Sequence, residues 1–192
     1  MKIAITGGIG SGKSKVLEIL RMQGYNVVSA DEVSAKLTKN NAVLKDLKKL
    51  FPDCLETVGD GLLLNKQKLS ESVFNDKEKL SKLNNYLHPL IMENTLKEVG
   101  ENGFAEVPLL FENGFEKLFD SVIVVLRDKE ERISAVKNRS GLTSKQVVER
   151  MNNQIDYDNF NFSNYKVIVN NGSLEQLKNN VLKILDELKI KV

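Results

Sequence analysis

Apolar residues alternate with smaller or polar ones at the start of the chain. Ile3 and Ile5 give residues 2–6 a period of two, which predicts a strand. The period then lengthens: Val16, Leu17 and Leu20 recur at helical spacing over 14–22, and Gly24 ends that helix. Residues 25–29 read as a second strand, ending at Ala30 and Asp31. Strand, glycine turn, helix, strand predicts the beginning of a parallel sheet with crossover helices.

Residues 32–102 have a different texture. Short helical stretches alternate with polar turns at Phe51-Pro52-Asp53 and Val58-Gly59-Asp60-Gly61. Leu80, Leu83 and Leu87 mark a helix over 76–87, and Pro89 suits the first residue of another, over 90–99. The region reads as a mainly helical insert, of the kind that brings substrate contacts beside a rigid sheet. Strand patterns return at 104–107, stopped by Pro108, at 121–126 with its VIVV run, and at 166–169. A charged helix over 128–137 is broken at 138–141. Thr143 with Gln146, and Ser173 with Gln176, predict capping boxes for the next helix, through Met151, and for the last one. The last helix carries an apolar stripe of Leu174, Leu177, Val181, Ile184 and Leu188. The Asn-rich residues 152–164 read as a surface excursion.

Composition narrows the partners. The chain has 192 residues, enough to bury a core without covalent staples. Its 28 Lys and Arg against 26 Asp and Glu leave a net charge of +2, too little to argue for nucleic acid or a membrane. Cys54 is the only cysteine, which excludes an intrachain disulfide and any CxxC site. The apolar start is broken at Gly7, unlike a signal peptide, and no run approaches membrane-spanning length. A cytoplasmic protein, monomeric or a weak homo-oligomer, is expected.

The chemistry enters at residues 7–14, GGIGSGKS, which satisfy G-x-x-x-x-G-K-[ST] between a strand and a helix. A loop that wraps a polyphosphate turns its N–H groups inward, and glycine makes those bends at low steric cost. The following helix presents its N-terminus to the anion. Lys13 is placed to reach the outer phosphates of ATP, and the Ser14 hydroxyl to ligate Mg²⁺. A dinucleotide loop wants glycine where Lys13 stands, although Asp31 falls at a ribose-binding distance along the chain. A GTPase switch adds D-x-x-G, absent from the chain, and a guanine-reading N-K-x-D, for which NKQK at 65–68 lacks the carboxylate. A small-metabolite kinase fits the length and the insert best.

With VVSAD at 27–31, LHPLI at 87–91, VPLLFEN at 107–113 and VNNGS at 169–173 following TGGIGSGKS at 6–14, the chain closely resembles the dephospho-coenzyme A kinase family over almost its whole length. The resemblance implies ATP-dependent phosphorylation of the ribose 3′-hydroxyl of dephospho-CoA, giving CoA and ADP. It implies an α/β fold: a three-layer P-loop core with a parallel sheet from 1–31 and 103–192, a lid at about 138–152, and a helical substrate-binding region at 32–102. On that template Gly8, Ile9, Gly10, Ser11, Gly12, Lys13 and Ser14 hold the ATP phosphates and Mg²⁺. Asp31 matches the proposed base and Arg139 a lid arginine near the phosphates. Asn171 and Gly172 lie near the adenine. His88, Leu109 and Glu112 fall in segments that bind dephospho-CoA or support its site.

The residues also admit plainer roles. Asp31 suits a helix N-cap, Arg139 a solvated surface and His88 a helix cap, while Glu112 suits the surface by composition. Arg132 and Arg150 either add charge or solvate their helix faces. Tyr157, Phe160 and Phe162 either stack on a base or pack against the last strand. Four positions depart from the family pattern: Ser29 where a second aspartate is common, Lys15 where threonine is usual, and Arg132 with Ala135 where Gln and Arg often stand. The last departure makes Arg132 a substitute for the charge missing at Ala135. Another small kinase of this fold, acting on a nucleoside or nucleotide, and a nucleotide-dependent switch are the competing accounts.

Overall fold

A computed structural model describes residues 1–74 and 76–190. The chain divides into two units, Met1–Ser29 with Val99–Val192, and Ala30–Glu98.

The first unit is built on five parallel strands: β1 (Lys2–Thr6), β2 (Val27–Ser29), β5 (Gly103–Glu106), β6 (Ser121–Leu126) and β7 (Lys166–Val169). Their spatial order is β2-β5-β1-β6-β7. Register runs Ala4 opposite Ala105 on one side of β1 and opposite Val122 on the other. Ile3 and Ile5 face one side with Phe104, Ile123, Val125 and Ile168, and that face is covered by α1 (Lys13–Met22) and α8 (Leu174–Glu187) through Val16, Leu20, Leu177 and Val181. Ala4, Val122 and Val124 alternate to the opposite face and are buried too. Burial on both faces is what parallel pairing demands, and it explains the VIVV run. Each fully buried Ile or Leu contributes roughly 1.5–3 kcal/mol. β1 is central, so the loop leaving its C-terminal end opens where the strand order reverses and open sheets collect ligands.

The same unit holds α6 (Lys129–Ser140) and α7 (Ser144–Met151). Both predicted capping boxes form: Thr143 with Gln146 at α7 and Ser173 with Gln176 at α8. The predicted break at 138–141 does not begin where expected. α6 continues through Ser140, and only Gly141, at φ 68°, leaves the helix. The second strand begins at Val27, later than predicted, because Gln23, Gly24 and Tyr25 spend their N–H groups closing α1.

The second unit contains α2 (Ala30–Leu37), α3 (Asn41–Leu50), α4 (Lys66–Phe74) and α5 (Lys77–Val99), the last reaching one residue beyond it. It also holds a hairpin of β3 (Leu55–Val58) and β4 (Gly61–Leu64), joined by Gly59 and Asp60. The reading as helices and turns missed this hairpin. The expected helix boundary at Pro89 is likewise absent, since α5 runs through it. An interior proline costs about 3 kcal/mol through its missing N–H and ring clash. Leu83, Tyr86 and Leu87 before it, and Leu90 and Ile91 after it, pack on one apolar cluster with Leu44, Leu47 and Leu69. That shared packing outweighs the local penalty.

Candidate active site

The glycine loop leaves β1 at Thr6 and enters α1 at Lys13. Three of its glycines are demanded by space as well as by φ, beginning with Gly7, whose Cβ would press on the Val125 carbonyl oxygen. Gly10 has φ 80°, and a Cβ there would stand 2.5 Å from the Arg132 carbonyl oxygen. Gly12 has φ 93° and backs onto the Asn170 side chain. α1 has no side-chain N-cap and no acid in its first turn, which instead carries Lys13, Ser14 and Lys15. For an isolated helix this is unfavourable, because anions belong at that end. It suits a helix whose cap is a bound anion.

Lys13 Nζ donates to the carbonyls of Gly7 at 2.6 Å and Gly8 at 3.2 Å, so the ammonium is held over the loop. Ser14, next to it, is exposed. Among the described residues no cluster of three His, Cys, Asp or Glu side chains can cage a metal ion. A Mg²⁺ ion suits such a place, since it takes one or two protein oxygens and completes its shell with phosphate and water. Ser14 could supply one such oxygen, since its hydroxyl stands in the first turn of α1 beside Lys13.

Three side chains fasten the loop from outside. Asn170, just past β7, donates its side-chain amide to the Ser11 carbonyl at 2.9 Å. Gln154 accepts the Ile9 N–H at 2.7 Å. Tyr157 places its hydroxyl 3.4 Å from Thr6 Oγ1, and its ring lies against the position a Gly8 Cβ would take. Burial, reinforced by the Glu112 charge, pushes the Tyr157 phenol up to about 12, against hydrogen bonding from Thr6 and Gly7 and the charge of Arg132. Arg132 is 3% exposed and pairs with Asp158 at 2.6 Å. Glu112 accepts the Ile155 N–H at 2.8 Å, in the same segment. Residues 152–160 are therefore the outer wall of the loop more than a free surface excursion.

The expected site residues divide. Gly8, Ile9, Gly10, Ser11, Gly12, Lys13 and Ser14 form one continuous cradle. Asn171 does not join it: its side chain exchanges two hydrogen bonds with Asp128, at 2.9 and 2.7 Å. Gly172 sits against the Gln176 side chain in the turn before α8. Arg139 lies in the last turn of α6 and is exposed, so it is helical although it falls within the break expected over 138–141. Glu112 is exposed, with one carboxylate oxygen committed to Ile155. Leu109 has φ 54°, rare for a branched side chain, and is 39% exposed while Leu110 beside it is fully buried.

Asp31 and His88 belong to the other unit. Asp31 is exposed in the first turn of α2, which begins at Ala30, so it follows β2 directly and is not an N-cap. His88 lies within α5, not at a cap, and partial burial lowers its pKa, which favours the neutral imidazole. Tyr157 and Phe162 are buried in a ring cluster with Phe111, whereas Phe160, stacked on Phe111 at 5.4 Å, is 42% exposed. Packing is thus the role of the first two. Asn170, Gln154 and Asp158 were not foreseen. Asn170 stands beside the expected Asn171, and the polar monotony of 152–164 hides the other two.

The dephospho-CoA kinase family model matches residues 1–176. A Thermus thermophilus dephospho-CoA kinase is 36% identical over 190 residues, covering 97% of this chain and 91% of its own. The Corynebacterium glutamicum enzyme is 33% identical over 198 residues, covering 98% and 100%. In three dimensions, a Thermus thermophilus crystal structure matches 98% of this chain and 97% of its own, with TM-score 0.83 and 35% identity. The Campylobacter jejuni dephospho-CoA kinase matches with TM-score 0.70, 28% identity and 98% coverage of both chains. A shikimate kinase from Bacteroides thetaiotaomicron, 11% identical with TM-score 0.53, shares the fold.

Proposed function

The chain belongs to the dephospho-CoA kinase family, and we propose that it uses Mg-ATP to phosphorylate the ribose 3′-hydroxyl of dephospho-CoA. The observation that carries this reading is the glycine cradle capped by Lys13, in a chain that matches the family over residues 1–176.

In the proposed reaction the 3′-oxygen attacks the γ-phosphorus in line with the bond to the bridging oxygen. That bond breaks, ADP leaves, and the hydroxyl proton passes to the Asp31 carboxylate. Little covalent chemistry falls to the protein, so positioning and charge neutralisation supply most of the rate. Loop N–H groups and Lys13 take the phosphates. Ser14 would hold Mg²⁺, which neutralises phosphate charge when bound. Arg139, on a helix end next to Gly141, is the cation we assign to lid closure over 138–152. His88, Leu109 and Glu112 are assigned to the acceptor side, Glu112 chiefly by fixing Ile155. The adenine of ATP is assigned to the turn at Asn171 and Gly172, which Asn171 shapes through Asp128.

The test is ADP release with Mg-ATP and an acceptor panel of dephospho-CoA, AMP, thymidylate and adenosine. The reading predicts ADP release with dephospho-CoA alone. Release with another acceptor would keep the kinase and move the substrate. ATP binding without any transfer would favour a switch.

A further inference from the structure

Arg132 is the least explained charge in the first unit. Its side chain is 4% exposed, while its partner carboxylate on Asp158 is 40% exposed. Water therefore screens the negative member of the pair and hardly reaches the positive one. The guanidinium has five N–H donors, yet Asp158 is the carboxylate that pairs with it among the described residues, through Nη2. Nε is buried without a partner. Nη1 points at the glycine loop: a Cβ added at Gly8 would stand 2.7 Å from it. The Arg132 backbone carbonyl closes on Gly10 two residues on.

A half-satisfied buried cation is costly unless something compensates it. Packing alone gives no reason for a charge here. The uncompensated side of the guanidinium lies against the outer face of a loop read as a polyphosphate cradle, and low dielectric strengthens its attraction to an anion held by that loop.

Resting on the kinase reading, we propose that Arg132 is a second fixed cation of the phosphate cradle, after Lys13. Asp158 positions it against Gly8, and its charge makes the protein favour ATP and ADP over adenosine.

Calorimetric binding of ATP, ADP and adenosine, without acceptor, tests this on the wild type, R132K, R132Q and R132Q/D158N. The double variant keeps a hydrogen-bonding pair of similar shape with no charge, so a fold lost in R132Q through the unpaired Asp158 is restored there. Charge-assisted contacts set the expected loss for R132Q at about ten- to a hundredfold in ATP affinity, with adenosine changing less than about threefold. R132K recovers part of the loss and the double variant recovers none. The proposal is overturned if ATP affinity in R132Q stays at the wild-type level, if ATP and adenosine weaken together, or if the double variant returns to wild-type affinity. Wild-type ADP release with dephospho-CoA is read in parallel. If it proceeds while R132Q binds ATP normally, the Arg132 assignment alone falls. If wild type neither binds ATP nor transfers, the kinase reading falls with it.

Discussion

The side-chain amide of Asn170 donates to the backbone carbonyl of Ser11 at 2.9 Å, fastening the end of β7 to the loop that leaves β1. Its neighbour Asn171 turns the other way and binds Asp128. The two residues should therefore separate by mutation. Asn170→Ala removes one loop hydrogen bond and should weaken ATP binding by about fivefold, the worth of about 1 kcal/mol. Asn171→Ala should weaken ATP binding less, by loosening the turn assigned to the adenine, and lower the melting temperature slightly by loosening the start of α6. Equal effects on ATP binding, measured by titration, would contradict this division.

Gly10→Ala meets two obstacles together. At φ 80° a side chain is strained, and its Cβ would press to 2.5 Å from the Arg132 carbonyl oxygen, a backbone atom that cannot swing away. The substitution should destabilise the protein by about 1–3 kcal/mol and deform the cradle. Thermal denaturation checks the first effect and ATP titration the second. An unchanged melting temperature would show that the loop tolerates the Cβ.

Tyr157 gives an alkaline signature. Its phenol is raised from 10.0 to about 12 in the folded protein, chiefly by burial. The folded state thus holds its proton more tightly than the unfolded one. Its contribution to stability is complete below pH 10 and is lost as pH rises from there through about 12. Tyr157→Phe should flatten that loss and change stability near neutrality only through the lost contacts to Thr6 and Gly7. A parallel alkaline decline in both proteins, followed by denaturant titration, would remove Tyr157 from the account.

Lys13 and Asp31 should fail differently. Lys13→Ala should weaken ATP binding and turnover together, because its ammonium sits over the cradle. Asp31→Asn should keep ATP affinity and lower turnover by about 10²–10⁴-fold, the usual cost of a lost general base. Near-normal turnover of the Asp31 variant with dephospho-CoA would sink the base assignment.

The parallel sheet was legible because its strands are short, apolar on both faces and spaced by helices. The cradle was legible because glycine, lysine and serine must stand at fixed offsets for their chemistry. What escaped were features decided by distant packing. Pro89 reads as a helix start, but a shared apolar cluster carries α5 through it. Leu55 to Leu64 forms a hairpin around Gly59 and Asp60, too short for its alternation to stand out among helical neighbours. Arg132 looks like any charge on a charged helix. Its burial against Gly8 depends on β1 and α6 meeting, which no local pattern records.

The most direct measurement is the mass of the product formed from Mg-ATP and dephospho-CoA, beside the same acceptor lacking its 3′-hydroxyl. The account predicts a gain of one phosphoryl group on dephospho-CoA and none on the 3′-deoxy compound. Equal phosphorylation of both would place the reaction at another oxygen and contradict the central claim.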